Sequence, residues 1–220
     1  MIRRPPAWRQ LRARAGLVRR LHRAGRLVSP RHAIAFGRVP RHVFVPPGCE
    51  HLAYEPGAFE VHDDQTMTSA EVVALMTGLL GVRPGARVLE VGTGTGYQAA
   101  ILAAMGARVT SVEVRAPIHE MAVTNCGRLP WINVDLRLGN GSLGLQATEQ
   151  FDGTILGCVP ETIPQALIDQ LAPGGRLVGP EGPVDCVQTL VVLERTPTGI
   201  ERTEVRTAWF VPMVPASSDD

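Results

Sequence analysis

Residues 89–103, LEVGTGTGYQAAILA, join an apolar run to a helix-like run through glycines at alternate positions, Gly92, Gly94 and Gly96. Glycine carries no Cβ, so such a segment can turn tightly and lie close to a bound molecule. An apolar strand followed by a glycine-rich turn and a helix is typical of the first unit of a doubly wound sheet, in which ligands bind beyond the carboxyl ends of the strands. The segment therefore predicts an α/β fold with a ligand site at this turn.

Strand-like and helix-like segments alternate along the rest of the chain after residue 85. The predicted strands are 86–91, 107–114, 132–139, 151–159 and 175–180, and the predicted helices are 96–106, 116–127 and 162–175. Segments 185–196 and 200–213 flank a Pro-Thr-Gly turn and predict an antiparallel hairpin. This order predicts a doubly wound, mostly parallel sheet with helices on both faces and the hairpin at one edge.

The first 85 residues follow a different pattern. Apolar residues recur at helical spacing within 6–25, and a second short helix is predicted at 29–39. Segment 39–47 is predicted to be extended, and 48–64 to be a loop. The predicted division of the chain is a basic helical extension (1–49), an acceptor and cofactor loop with a connecting helix (50–85), a core (86–213) and a flexible tail (214–220).

The residues around the glycines indicate which ligand they accept. A dinucleotide-binding turn requires a small residue at position 97, where this chain has Tyr97. Glu113 ends the second predicted strand, 21 residues beyond Gly92, where a carboxylate can accept both hydroxyls of a ribose. No phosphate-binding lysine motif is present in the sequence. A nucleoside without a pyrophosphate fits this pattern, and S-adenosylmethionine is the predicted cofactor, with Glu90 near its cationic portion.

At this point several segments resemble the protein-L-isoaspartate O-methyltransferase family. They are RVPRHVFVP (38–46), AY (53–54), QT (65–66), VLEVGTGTGYQAAILA (88–103), PQALIDQLAPGGRLVGPEG (164–182) and FVPM (210–213). The resemblance runs in order over roughly residues 17–213. It implies the Rossmann-like class I methyltransferase fold, S-adenosylmethionine and a carboxylate acceptor on a protein or peptide.

The resemblance also implies the site residues. Thr68 stands at the family's active-site serine and is the expected catalytic residue. The expected cofactor-binding residues are Gln65, Thr66, Met67, Thr68, Glu90, Gly92, Thr93, Gly94, Gly96, Glu113, Asn140 and Gly141. The sequence offers a structural alternative for Thr68, because Thr68-Ser69-Ala70-Glu71 also reads as a capping box that begins a helix.

Carboxyl methylation explains why no catalytic triad or general base is evident. A carboxylate is already ionised at pH 7, so no base is needed to generate the nucleophile. The enzyme has to align the reacting atoms and remove water from the anion. Four of the histidines, His22, His32, His42 and His119, are interpreted as surface or packing residues.

Some positions depart from the family pattern. The family has glycines where this chain has His62 and Asp64, a proline at Ala70 and an aspartate at Pro56. Where the family has Gly-Asp-Gly, this chain has GNG (139–141). The side-chain carbonyl of Asn140 is therefore expected to contact the adenine amino group. Acidic residues Asp63 and Asp64 would repel an acceptor carboxylate unless they face away from it.

The charge distribution is strongly asymmetric. Residues 1–49 carry 12 of the 22 basic residues and no acidic residue, giving +12 against −11 for the remainder, and every basic residue is arginine. Such an arm can hold an acidic polypeptide or a nucleic acid, or it can pack on the acidic body of the chain.

Other sequence features indicate the state of the cysteines and the cellular compartment. Four widely spaced cysteines, Cys49, Cys126, Cys158 and Cys186, indicate free thiols and no metal site. No apolar run is long enough for a bilayer, and no signal peptide is evident, so a cytoplasmic protein without membrane contact is expected. It is also predicted to be a monomer.

Four functions remain open from the sequence. The leading hypothesis is methylation of L-isoaspartyl residues in damaged proteins. The alternatives are methylation of an aspartate during tailoring of a ribosomally made peptide, and a non-catalytic module that binds the cofactor and a partner. Nucleic-acid methylation is disfavoured, because GCVPE (157–161) lacks the Pro-Pro-aromatic motif that holds a base amino group.

Overall fold

The computed structural model describes residues 7–62, 65–145 and 149–214. Its helices are α1 (Ala7–Arg23), α2 (Pro30–Arg38), α3 (Ala70–Leu80), α4 (Tyr97–Ala104), α5 (Ala116–Gly127) and α6 (Gln165–Asp169), with 3-10 turns at Arg41–Val43 and Gly141–Leu143. Its strands are β1 (Phe59–His62), β2 (Gln65–Met67), β3 (Arg87–Val91), β4 (Arg108–Glu113), β5 (Val134–Leu138), β6 (Phe151–Leu156), β7 (Leu171–Glu181), β8 (Gln188–Thr196) and β9 (Gly199–Ala208). None of the helices among these residues is long and apolar enough to cross a membrane.

A mostly parallel sheet forms the centre of the molecule and confirms the predicted fold class. Within the described residues its strand order is β5-β4-β3-β6-β7-β8-β9. Pairing is parallel from β5 to β7 and antiparallel from β7 to β9. Strand β3 is buried over Val88–Val91, as a strand covered by helices on both faces must be. From β3 the chain continues to β4 and β5 on one side of the sheet, and then crosses to β6 and β7 on the other side. This switch in strand order places a crevice at the carboxyl ends of β3 and β6.

Two predicted segments adopt different structures. Within the predicted loop 48–64, the residues of β1 form a strand, because β1 pairs with β2 and Phe59 and Val61 pack on the core. The predicted helix 162–175 is limited to α6, because Leu171 already pairs with Phe151 and begins β7. Local helical periodicity was outweighed in the second case by tertiary strand pairing.

Segment 39–47 was also predicted wrongly as extended. Residues Arg41–Val43 form a 3-10 turn, in which Val43 N–H donates to Pro40 O at 2.9 Å and Phe44 N–H donates to Arg41 O at 3.0 Å. The turn brings Arg41 into the protein interior, where its side chain is 1% exposed.

The N-terminal helices share a core with the sheet domain. Leu17 and Leu21 of α1 are fully buried. Phe36 of α2 and Phe44 contact the ring of Tyr97 at centroid distances of 6.2 and 5.5 Å. Because Tyr97 begins the helix after the glycine turn, the extension supports the segment that defines the fold.

The shared core predicts unequal costs for two leucine substitutions on α1. Leu21→Ala removes a side chain that is 0% exposed and should lower the free energy of unfolding by about 2–5 kcal/mol. Leu11→Ala is the matched control, because Leu11 is 55% exposed and its loss should change stability by about 0.5 kcal/mol at most. Urea unfolding followed by circular dichroism measures both values. Equal, small effects would show that α1 is not part of the core.

Candidate active site

A central cavity opens where β3, β4 and β6 end. Ten of the predicted site residues line it. They are Thr66, Met67, Thr68, Glu90, Gly92, Thr93, Gly94, Glu113, Asn140 and Gly141. Residues separated by as many as 75 positions thus meet at one edge of the sheet. The side chain of Gln65 lies outside the described residues, as do Asp63 and Asp64.

The glycine turn forms the floor of the cavity. Gly94 has a φ of +54°, and a Cβ built on it would meet no atom within 4 Å, so its bare backbone faces open space. Gly96 is different and does not line the cavity. A Cβ at Gly96, which has a φ of +87°, would lie 3.0 Å from the Cys126 sulfur. Gly96 thus allows α5 to pack closely behind the turn, a role other than the predicted cofactor contact.

Glu113 presents a fixed carboxylate to this floor. Its Oε2 accepts a hydrogen bond from Gly94 N–H at 3.0 Å, and its Oε1 accepts one from Arg115 N–H at 3.1 Å. The side chain is only 7% exposed. Each carboxylate oxygen can accept more than one hydrogen bond, so both can still accept a hydroxyl from a ligand.

Glu90 also lines the cavity and is almost completely buried, at 1% exposure. Ser111 Oγ donates a hydrogen bond to its Oε2, and Thr93 Oγ1 lies 2.6 Å from Ser111 Oγ. Burial raises the pKa of Glu90 to about 8; the Ser111 hydrogen bond lowers it and the neighbouring Glu113 carboxylate raises it further. A positively charged ligand in the cavity would reverse much of this shift by stabilising the ionised form.

Asn140 uses the oxygen that was expected to contact adenine. Its Oδ1 accepts a hydrogen bond from Ser142 N–H at 3.0 Å, which caps the 3-10 turn Gly141–Leu143. The oxygen that was expected to meet adenine therefore acts as a cap in this structure, and Asn140 lines the central cavity.

Thr68 is not the helix cap that the sequence allowed. The N-cap of α3 is Ser69, whose Oγ accepts a hydrogen bond from Val72 N–H at 3.2 Å. The capping-box interpretation of Thr68 was therefore wrong by one residue. Its hydroxyl is left available for the cavity that it lines.

A side groove meets the central cavity at Thr68. The groove runs between α3 and the end of β9, and its wall includes Ser69, Val72, Arg206 and Trp209. It shares five lining residues with the central cavity: Thr66, Thr68, Gly157, Phe210 and Val211. The rim is apolar and exposed, with Trp209 at 69% and Val187 at 60%. A molecule in the cavity and one in the groove would therefore meet at Thr68.

Arg41 is a site residue that the sequence analysis did not identify. Its Nη2 donates a hydrogen bond to the carbonyl oxygen of Thr68 at 2.8 Å, and its guanidinium lies 4.7 Å from the centroid of the Tyr97 ring. Burial lowers the pKa of Arg41, with Tyr97 and Glu71 opposing that shift. Arg41 connects the loop before α3 to the first residue of α4. The Pro-Arg-x-x-Phe segment was noted in the sequence as part of the family resemblance. Only the turn at Arg41–Val43 shows that its arginine points into the protein interior.

The buried cysteines are unsuited to act as nucleophiles. Cys158 lines the central cavity, and burial raises the pKa of its thiol to about 12. Burial likewise raises the pKa of Cys126 to about 12. Since the thiolate is the reactive form, both groups are inert near neutral pH. Neither of these cysteines is therefore suited to form a covalent enzyme intermediate.

Comparison with known proteins decides the family. The model of the protein-L-isoaspartate(D-aspartate) O-methyltransferase family matches residues 12–218. The chain belongs to this family. It is accordingly an S-adenosylmethionine-dependent methyltransferase.

Individual relatives agree with that membership. A protein-L-isoaspartate O-methyltransferase of Gloeobacter violaceus is 42% identical over 179 residues, covering 81% of this chain and 87% of the relative. One of Methanoculleus marisnigri is 38% identical over 203 residues, covering 92% of each chain.

Solved structures share the fold of this methyltransferase. A protein-L-isoaspartate O-methyltransferase structure aligns with a TM-score of 0.83 at 27% identity, over 92% of this chain and 66% of the other. A Plasmodium falciparum structure described as the same enzyme, in complex with S-adenosyl-L-homocysteine, aligns with a TM-score of 0.79 at 21% identity, over 90% and 97%.

The contact between Arg41 and Thr68 predicts a positioning role for Arg41 in this methyltransferase. Arg41→Met keeps the bulk of the side chain but removes a charge-assisted hydrogen bond, which typically contributes about 1.5–3 kcal/mol. We expect kcat to fall roughly 10- to 100-fold, while the Kd for S-adenosylmethionine changes less than about threefold. Arg41→Lys should recover part of kcat, because it restores a donor and a charge.

Arg38→Met is the matched control for that experiment. The Arg38 guanidinium also lies 4.7 Å from an aromatic centroid, that of Trp131, but at the protein surface. Its substitution should leave kcat unchanged. Equal losses in the Arg38 and Arg41 variants, or a loss of cofactor affinity equal to the loss of kcat, would contradict the positioning role.

Proposed function

We propose that this enzyme transfers a methyl group from S-adenosylmethionine to the free carboxylate of an L-isoaspartyl residue in a polypeptide. The observation that carries the proposal is the junction of the central cavity with the side groove at Thr68. The names of the relatives support the isoaspartyl acceptor. Peptide tailoring and nucleic-acid methylation find no support among these relatives. A cytoplasmic monomer stays a prediction.

The residues of the central cavity fit the proposed cofactor. Glu113 offers two fixed oxygens for the ribose hydroxyls, and the bare backbone at Gly94 leaves room for the sugar. Glu90 is a buried acid whose ionised form a cation would stabilise. When bound, S-adenosylmethionine supplies a methyl carbon that a carboxylate oxygen attacks as the carbon–sulfur bond breaks, with no proton transferred.

The residues of the loop before α3 would align the acceptor. We infer that the Thr68 hydroxyl donates a hydrogen bond to the acceptor carboxylate. Arg41 fixes the Thr68 carbonyl and so holds this residue in place. The apolar walls of the side groove, including Val72 and Phe210, would exclude water from the anion. Catalysis then consists of alignment and desolvation, which explains why a general base is unnecessary.

A matched pair of peptides tests the proposal. Two synthetic peptides of one sequence, one with L-isoaspartate and one with L-aspartate at the same position, are incubated with enzyme and methyl-labelled S-adenosylmethionine. We expect a base-labile methyl ester, measured as released methanol, on the isoaspartyl peptide alone. Transfer to the aspartyl peptide alone would support the tailoring alternative, and transfer to neither would contradict the proposal.

The same assay separates cofactor binding from acceptor alignment. Glu113→Ala should weaken S-adenosylmethionine binding by about 100-fold or more, because two hydrogen bonds to a charged group are lost. Thr68→Ala should lower kcat by about tenfold with little change in cofactor affinity, for the loss of one hydrogen bond. Thr68→Ser retains the hydroxyl and is the control that should keep kcat. An unchanged kcat in Thr68→Ala would show that the hydroxyl does not contact the acceptor.

The raised pKa of Glu90 predicts that cofactor affinity depends on pH. With a pKa of about 8 in the ligand-free protein, Glu90 is largely protonated at pH 6 and largely ionised at pH 9. A cationic ligand favours the ionised form, so binding below about pH 8 releases a proton and tightens as pH rises, and it levels off above that pH. The Kd for S-adenosylmethionine should fall by up to about tenfold per pH unit, the limit for one proton.

Glu90→Gln provides the control, because it keeps the shape of the side chain and removes the titration. Isothermal titration calorimetry at several pH values between 6 and 9 measures both proteins. The variant should show a nearly flat profile, and a profile parallel to that of the original protein would assign the pH dependence to another group.

A further inference from the structure

Helix α1 presents a line of arginines to solvent. Arg9, Arg12, Arg19 and Arg23 are all exposed. At 3.6 residues per turn, their spacing places them within an arc of about 80° on one face of the helix. We call these four residues the arginine stripe. It extends over about 21 Å, the length of roughly six residues of extended polypeptide.

Other arginines hold this helix in place. Leu17 and Leu21 on the opposite face are buried. Arg20 Nε donates to Glu71 Oε1 at 3.0 Å, and Arg14 Nη1 donates to Arg38 O at 3.1 Å. The first contact joins the acidic body of the chain to the arm, as one interpretation of the sequence predicted, and the second lies within the arm itself. Among the described residues, no carboxylate forms an ion pair with a member of the arginine stripe.

The stripe lies on a helix that adjoins the active site. Arg20 also donates from Nη2 to Tyr54 O at 2.9 Å. Its partner Glu71 belongs to the first turn of α3, which starts two residues after Thr68. The ion pair between Arg20 and Glu71 therefore connects the last turns of α1 to the helix that borders the side groove. A polypeptide that entered the groove could continue along α1.

We propose that the arginine stripe binds acidic segments of the polypeptides that carry the acceptor carboxylate. The identity of that acceptor rests on the function proposed above. Arginine pairs well with carboxylates, because its planar guanidinium can donate two parallel hydrogen bonds. A line of four cations without described acidic partners is complementary to such a segment.

The composition of the surface favours a polypeptide over a nucleic acid. Proteins that bind single-stranded nucleic acids stack bases on exposed aromatic rings along a basic groove. Trp8 is the aromatic ring beside the start of the stripe, and the guanidinium of Arg9 lies 5.5 Å from its centroid. That ring is already in contact with a cation of the stripe, so the surface offers charge rather than a series of stacking platforms.

A pair of charge-reversal variants of the full chain tests the proposal. Arg12→Glu/Arg19→Glu changes two residues of the stripe. Arg83→Glu/Arg108→Glu is the matched control, because it changes the net charge equally at two exposed residues near the amino ends of β3 and β4. All four positions are exposed, and circular dichroism melts establish that each variant folds. Arg12→Gln/Arg19→Gln removes the two charges without reversing them and should weaken binding less than the charge-reversal variant. It replaces that variant in the test if charge reversal unfolds α1.

The first measurement is binding of a fluorescein-labelled decamer of glutamate, followed by anisotropy without cofactor or acceptor. We expect the stripe variant to bind at least tenfold more weakly than the original protein, and the control to differ by less than about threefold. Raising the salt concentration from 50 to 200 mM should weaken binding, since exposed charges are screened. Equal weakening in both variants would overturn the proposal. Tighter binding of a labelled oligothymidylate decamer would also overturn it, in favour of a nucleic acid.

The second measurement is kinetic. An isoaspartyl peptide with a glutamate-rich extension should have a lower KM than the same peptide with a serine extension. The stripe variant should lose that advantage with kcat unchanged, and a retained advantage would contradict the proposal. The anisotropy experiment requires no methyl transfer. Failure of transfer with decamer binding intact would therefore overturn the proposed function and leave the arginine stripe as a site for acidic polypeptides.

Discussion

Two carboxylates share the nearly dry edge of the sheet where β3 and β4 end. Glu90 and Glu113 are 1% and 7% exposed, and their mutual repulsion adds to the burial that raises the pKa of Glu90. Buried acids of like charge are costly unless a partner compensates them. A ligand with a positive charge and donor hydroxyls would compensate both. The arrangement is therefore suited to the adenosyl sulfonium that we propose for this site.

The rest of the structure holds that edge of the sheet in a fixed position relative to Thr68. Strand pairing places Glu90 beside Ser111 and fixes the turn that begins at Gly92. Tyr97, at the start of α4, packs against Phe36 and Phe44 of the N-terminal region. Arg41 lies against the same ring and holds Thr68 by its carbonyl oxygen. The extension, the glycine turn and the loop before α3 therefore form one packed unit, and the proposed methyl transfer requires that relative alignment.

Much of the fold, and most of the residues that line the central cavity, could be predicted from the sequence, because both depend on local patterns. The apolar strand before Gly92 and the 21-residue spacing to Glu113 are visible along the chain. The shortened α6 and the strand β1 could not be predicted, because both depend on pairing with distant segments. The sequence allowed Thr68 as the helix cap, whereas the cap in the structure is the neighbouring Ser69. Both residues carry a hydroxyl that can cap a helix, and only the backbone geometry distinguishes them. Arg41 was missed because a buried arginine and an exposed one look alike in a sequence.

The central claim is that the ribose of the cofactor binds to Glu113 and that its sulfur faces Thr68. A crystal structure of the protein with S-adenosylhomocysteine tests this most directly. The account predicts both ribose hydroxyls within hydrogen-bonding distance of the Glu113 carboxylate and the sulfur at the junction of the central cavity with the side groove. A ribose bound away from Glu113, or a sulfur that points away from Thr68, would contradict it.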